Sequence, residues 1–386
     1  MNAPTAAGRA MIERLIAFDT TSRNSNLDLI DWVRGYLAEH GITSHLVPDE
    51  TGKKANLYAT IGPEGCGGIM LSGHTDVVPI DGQDWDSDPW TVVERDDRLY
   101  GRGTCDMKSF VALVLAQVPD LVRRKLHTPV HLAFSYDEEV GCLGAKRLVE
   151  TLRHMPVKPR ACIVGEPTEM RIIAQHKGKR SWRGHVCGLE CHSSIAHTGV
   201  NAVEYAAEMV SFLRALAREK KTKGPFDKAF DPPYSTIHTG TIQGGTALNI
   251  VPKDCSFDFE IRYLPDDSPD AFIARVEAHA QTLLAEMRAV FPDAAIRIEP
   301  RSEFPGLATP EDADVIVLAK GISGHNAAEK VSFGTEAGLF SEIGIPTIVC
   351  GPGSIEQAHK PNEFIALEQI AKCEEFLGKL ADRLTV

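Results

Sequence analysis

Five stretches of this chain each lead into His, Asp or Glu: Gly73-His74-Thr75-Asp76, Cys105-Asp106-Met107-Lys108, Asp137-Glu138-Glu139, Gly165-Glu166-Pro167-Thr168 and Gln357-Ala358-His359. The runs ahead of four of them, residues 69–72, 130–136, 161–164 and 347–350, are short and apolar, which predicts buried strands. Ligands of open α/β sheets bind along the edge where the strands end, so polar residues scattered from His74 to His359 are expected to meet at one edge of one sheet.

The rest of the pattern fits an α/β fold. Apolar residues at Met11, Leu15 and Ile16, and at Leu29, Ile30, Val33 and Leu37, have helical spacing, and residues 109–122 predict one nearly all-apolar helix. Helices alternating with strands imply a mainly parallel sheet. From about Lys177 the order becomes strand (181–189), helix (200–219), strand (236–243), strand (254–262), helix (270–290), strand (295–299), a βαββαβ unit of ferredoxin-like type. Its first helix would turn Val203, Ala206, Ala207, Val210, Leu213 and Leu216 towards a small antiparallel sheet. The α/β pattern resumes after Glu303. The expected division is therefore a catalytic domain in two parts, 1–177 and 301–386, interrupted by an inserted domain at 178–300, with hinges near Lys177 and Pro300.

Charge and cysteine content narrow the function. A net charge of -12 spread over mixed-sign segments disfavours nucleic acid and anionic membrane surfaces as partners and suits small-molecule chemistry. No apolar run is long enough for a spanning helix and no leader peptide is evident, which points to the cytoplasm. Nine scattered cysteines fit reduced thiols rather than a disulfide framework. Cys187, Cys191 and His192 have neither zinc-finger nor haem spacing.

Zinc takes His nitrogen and carboxylate oxygen, and two ions sharing a bridging carboxylate need about five protein ligands. His74, Asp106, Glu139, Glu166 and His359 supply that number. Asp76, two residues past His74, can accept the other imidazole proton, and Glu138 is left as a carboxylate able to take a proton from water and pass it to a leaving amine. Singly, each turn would pass for an ordinary polar turn or helix start; together they form a complementary ligand set.

The stretches SGHTDVVP, YGRGTCDMK, DEEVG, GEPT, NIVP, FGTEAG and GPGSIEQAHKP resemble the di-zinc aminoacylase and carboxypeptidase family, metallopeptidase family 20, over nearly the whole chain. The resemblance implies a zinc-hydrolase catalytic domain holding two zinc ions, for which cobalt can substitute. Asp106 would bridge them, His74 and Glu166 complete one, and Glu139 and His359 the other, with Glu138 as general base and Asp76 orienting His74. The insert resembles the family's lid and dimerisation domain, which implies a homodimer. His192 matches a histidine that holds the oxyanion in a partner subunit's site, although Cys191 stands where glycine is common; His197 is a second candidate. Asn249 and Arg262 match substrate contacts of the lid, and Gly334 with Thr335 a substrate-binding turn of the catalytic domain.

Within the family, GTEAG and GPGSIEQAH resemble deacetylases of Nα-acetylornithine, whereas desuccinylases more often have Ser-Asp at the positions of Glu336 and Ala337. Glu336 could then favour a substrate ending in an ammonium group. The implied reaction releases acetate and ornithine for arginine biosynthesis. The same chemistry on acetylcitrulline, succinyl-diaminopimelate or another N-acyl amino acid stays open, as does a non-catalytic binding protein of the same fold.

Overall fold

The apolar runs ahead of the acidic turns become four parallel neighbours, ordered Val130–Ser135, Ile69–His74, Ala161–Pro167 and Thr347–Gly351. Every residue in them is buried, so helices and loops cover both faces, as the uninterrupted apolar sequence requires. Register brings their ends level: His74 pairs with Ser135, and Ser72 with Val164. Antiparallel strands Ala55–Ile61 and Ser44–Pro48 extend one side, and Ile173–His176 followed by Leu307–Ala308 the other.

This is a computed structural model describing residues 3–385. The chain divides into two compact units: the first runs to Gln175 and resumes at Leu307–Lys330 and from Thr335; the second is His176–Gly306 with Val331–Gly334. The return therefore lies beyond Pro300. The strand Ala295–Phe304 continues through that proline, which is accommodated at a bulge between Pro300 and Ser302. Pro300 is thus inside a strand and is no hinge.

In the first unit the helix Lys108–Ala116 packs against Ile69–His74 and Ala161–Pro167. The single helix expected over 109–122 is two, Lys108–Ala116 and Val118–Arg123, because Pro119 lacks an N–H and starts a new helix at its first turn. Among the described residues, no helix is long and apolar enough to cross a membrane.

The second unit has a four-stranded antiparallel sheet ordered Thr236–Gly244, Asp254–Tyr263, Gly178–Cys187, Ala295–Phe304, the arrangement that a βαββαβ chain gives. Alternate residues Cys255, Phe257, Phe259 and Ile261 point into its core. Helices Ala202–Lys223 and Pro269–Val290 cover that face, started by Asn201 and Ser268, whose side chains accept first-turn N–H groups. The buried stripe of Ala202–Lys223 runs through Ala202, Ala206, Met209, Leu213 and Leu216. Ala207 is exposed and Val203 and Val210 lie at the edge, a rotation of the expected face.

Candidate metal centre

His74 ends its strand fully buried, and its Nδ1 lies 2.9 Å from the Asp76 carbonyl oxygen. Donation there fixes the Nδ1–H tautomer and leaves the Nε2 lone pair facing inward. That Nε2 is 3.1 Å from Asp106 Oδ1 and 3.5 Å from Glu166 Oε1. The other oxygen of Asp106 faces a second imidazole: His359 Nε2 is 3.2 Å from Asp106 Oδ2 and 3.1 Å from Glu139 Oε2. One carboxylate thus stands between two histidines, each with a further acid, and Glu138 groups with His74 and Glu166. All seven polar residues named for the sheet edge, from His74 to His359, meet in the first unit.

The local folding that presents them is specific. Asp137 adopts φ +53 and turns the chain out of Val130–Ser135 so that Glu138 and Glu139 follow at the edge, its carboxylate paired with Lys54 at 2.5 Å. His359 is also left-handed, at φ +65, in the loop after the short 3₁₀ turn Ile355–Gln357. Glu166 needs the preceding glycine, since a Cβ on Gly165 would stand 2.0 Å from the Phe110 ring.

Asp76 meets His74 Nδ1 twice, through its carbonyl oxygen at 2.9 Å and its carboxylate at 3.5 Å. The carboxylate also accepts the Glu138 and Glu139 N–H groups and the Ser22 hydroxyl, tying the Glu pair to the strand that bears His74.

Electrostatics follow from five acids against two imidazoles. Burial pushes Glu138 up to about 8 and Glu139 up to about 7, with the neighbouring acids adding to both, and raises Glu166 well above the carboxylate range. Burial opposes charge on His74 too, but Asp106, Asp76 and Glu166 outweigh it and raise that imidazole. Hydrogen bonds that His359 donates to Asp106 and Glu139 hold it up at about 10, and Asp106 is lowered against its burial by both histidines. Such crowding of negative charge is relieved either by protons or by cations, and imidazole nitrogen with carboxylate oxygen is the donor set of zinc-like ions.

Glu363 is a residue that sequence reasoning missed. Only 1% exposed, its Oε1 accepts the Cys105 and Asp106 N–H groups and its Oε2 the Gly103 N–H and the Arg102 guanidinium. It fixes the glycine-rich loop that carries Asp106. The only signal was proximity: Pro361-Asn362-Glu363 closely follows His359, and a single Glu before a short strand says nothing of a loop over 250 positions earlier.

The residues expected to touch substrate are dispersed. His192, Asn249 and Arg262 belong to the second unit. The Asn249 carbonyl accepts the Ser193 N–H, so Asn249 braces the His192 loop. His192 itself is exposed, and its Nδ1 accepts the Ser194 N–H at 3.1 Å. His197 lies in the 3₁₀ turn Ser193–Thr198. Arg262 is paired with Glu260 at 3.1 Å near the far end of Asp254–Tyr263.

Two expectations about the 334–336 turn need correction. Gly334 groups with the second unit, where a Cβ would strike Phe304, rather than with the catalytic one. Thr335 and Glu336 are fully buried. Thr335 Oγ1 accepts the Ala337 N–H at the start of the helix Ala337–Glu342, and Glu336 takes the Ser72 and Ser135 hydroxyls, each at 2.6 Å. Glu336 therefore links two central strands, with both carboxylate oxygens taken by buried hydroxyls.

Comparison with known proteins shows the family. The profile of peptidase family M20/M25/M40 matches residues 70–383. The chain is 35% identical to an acetylornithine deacetylase of Pasteurella multocida and 36% identical to one of Myxococcus xanthus, each over 96% of both chains. Among solved structures it superposes on an M20 family metallo-carboxypeptidase of Sulfolobus solfataricus with TM-score 0.80, at 18% identity and 99% coverage of both. A dinuclear metal binding peptidase of the same family from Bacillus subtilis gives 0.64, at 15% identity and 99% coverage of both. The chain thus belongs to peptidase family M20/M25/M40, a family of metal-dependent hydrolases.

Proposed function

We propose that this protein hydrolyses the amide bond of Nα-acetylornithine, releasing acetate and ornithine in arginine biosynthesis. The observation that carries the reading is Asp106 between His74 and His359 with Glu138 alongside, in a chain about 35% identical to deacetylases of that name. Asp106 would be shared between two divalent ions, His74 and Glu166 holding one and Glu139 and His359 the other; zinc fits the donors and cobalt can replace it. When bound, such ions polarise an amide carbonyl and acidify water.

The chain's own residues supply the proton chemistry. Glu138 takes one proton from the attacking water and hands it to the departing α-amine as the C–N bond breaks; the water's oxygen and second proton stay on the acetic acid formed, which ionises to acetate as the amine becomes an ammonium. Because the Ser194 N–H occupies His192 Nδ1, the remaining proton sits on Nε2, a donor suited to the oxyanion of the tetrahedral intermediate. Arg262 offers a guanidinium for the substrate carboxylate.

His192 and Arg262 cannot serve one small substrate from one chain. His192 bridges to Ile250, beyond the Asp254 end of the strand, whereas Arg262 is eight residues along it, roughly 27 Å at about 3.4 Å per residue. If both contact substrate, they come from different subunits, which supports a homodimer joined through the second unit. The nine free cysteines favour the reducing cytoplasm.

The test is amine release from Nα-acetylornithine, acetylcitrulline and succinyl-diaminopimelate by chelator-stripped protein titrated with zinc or cobalt. Preference for acetylornithine, rising over one to two metal equivalents, is expected. Preference for another substrate would change the pathway and keep the chemistry, and silence on all three would refute the hydrolase reading.

A further inference from the structure

The open face of the second unit's sheet carries the side chains that alternate with its core, among them His185, Cys187 and Asp254. Most of this face is a ladder of cross-strand ion pairs, such as Arg183 with Asp258 at 2.8 Å and Lys179 with Glu260 at 3.4 Å. At the Cys187 end the ladder changes character. Cys187 is paired in register with Asp254, and His185 lies two residues back on the same face. Its Nδ1 is 3.5 Å from Cys187 Sγ and its Nε2 3.7 Å from Asp254 Oδ1.

We propose that His185, Cys187 and Asp254 form a further binding site, for one thiophilic divalent cation of the zinc class. One donor atom from each residue lies within 4.8 Å of the other two. Ligands about 2.0–2.3 Å from a tetrahedral ion stand roughly 3.3–3.6 Å apart, so the thiol and the imidazole Nδ1 are already spaced as ligands, and the carboxylate, which now faces Nε2, has to swing to the Nδ1 side of the ring to join them. Neutral imidazole, thiolate and carboxylate are a donor set this ion class accepts. The thiol proton that now lies between Cys187 and its neighbours is what the cation displaces.

Access and the fourth coordination position are also provided. His185 and Asp254 line an open cavity of about 330 Å³ with Glu190, leaving room for water on the ion. The two strands are tied by backbone hydrogen bonds, so the donors rest on regular structure rather than on a mobile loop. Burial pushes the Cys187 thiol up, Asp254 adding to the rise and Arg297, across from His185 on the neighbouring strand, offsetting part of it, so an ion has to displace the thiol proton to bind. The sequence showed none of this, because spacing drew attention to Cys187, Cys191 and His192 while Asp254, on another strand, completes the set.

Cobalt(II) gives the test a readout that activity does not. The ligands assigned to the candidate metal centre are all nitrogen and oxygen, so a thiolate-to-cobalt charge-transfer band must come from a cysteine. Full-length protein titrated with cobalt should fill the first centre and then develop that near-ultraviolet band, with one further equivalent bound per chain. Cys187→Ser should abolish the band and lose that equivalent; Asp254→Asn should weaken the band-forming step by about tenfold or more. Cys191→Ser and Cys66→Ser should keep both, and added zinc should bleach the band. Absence of a band in the parent protein, its survival in Cys187→Ser, or its loss in Cys191→Ser would overturn the proposal. Far-ultraviolet circular dichroism on each variant separates loss of the site from loss of folding.

Discussion

At the scale of single residues, the site concentrates carboxylates in one place, and the proposed mechanism gives them two distinct jobs, holding cations and moving a proton. Replacing Glu138 by Ala should lower turnover of acetylornithine by about 10²–10⁴-fold while bound metal, measured by elemental analysis, stays at the parent level, because a general base and not a ligand is removed. The buried Glu336 calls for a different readout. Glu336→Ala leaves the buried Ser135 hydroxyl without its carboxylate and Ser72 with only the Ala133 carbonyl oxygen at 3.2 Å, and should cost about 1–3 kcal/mol of stability in urea unfolding. The acids and imidazoles also set a pH dependence for chelator-stripped protein. Glu138 near 8, Glu139 near 7 and His359 near 10 all lie above their unfolded values, so the folded chain binds more protons than the unfolded one from about pH 4.5 upward. Their stability contribution is present below the unfolded values and is lost as pH rises through the folded ones. The thermal midpoint of stripped protein should therefore fall between pH 5 and 9, and metal-loaded protein should show a smaller fall, since cations replace the protons. A stripped protein whose midpoint rises over that range would contradict the charge pattern described.

Among the elements, the glycine-rich loop 101–107 shows how one side chain governs a segment. Three backbone N–H groups and Arg102 converge on Glu363. Glu363→Ala should free the loop, reduce metal affinity by about 10–100-fold in equilibrium dialysis, and depress activity most at low metal; Glu363→Gln, which keeps acceptor capacity on one atom, should be milder. Legibility differed among elements for physical reasons. Ile69–His74, Val130–Ser135, Ala161–Pro167 and Thr347–Gly351 were readable because both faces are buried and the apolar run is unbroken. The break at Gln117 is carried by Pro119 alone, since apolar periodicity continues through it and outweighs the proline in a reading by periodicity. The short strand Phe364–Ala366, just past Glu363, lacks any periodic signal because three residues cannot display one.

For the whole molecule, the separation of His192 from Arg262 along one sheet makes assembly a testable part of catalysis. If His192 works in the partner's site, His192→Ala and Glu138→Ala proteins should each be nearly inactive alone. After unfolding and refolding together in equal amounts, half the dimers are mixed and each holds one intact site, so about a quarter of parental activity should return. No recovery despite mixed dimers, verified with differently tagged chains, would place His192 in its own subunit's chemistry or outside it. The chain's sequence by itself determined the parallel core, the inserted βαββαβ unit and the ligand residue types, because burial on both faces and side-chain donor chemistry are written locally in residue order. Only the tertiary structure decided what those residues face. It sent Glu336 inward to Ser72 and Ser135, brought Glu363 beneath the Asp106 loop, gave the His74 proton to the Asp76 carbonyl oxygen, and set Asp254 beside Cys187. Each of these depends on strand register or on loop closure between distant segments, and neither leaves a periodic trace in the sequence.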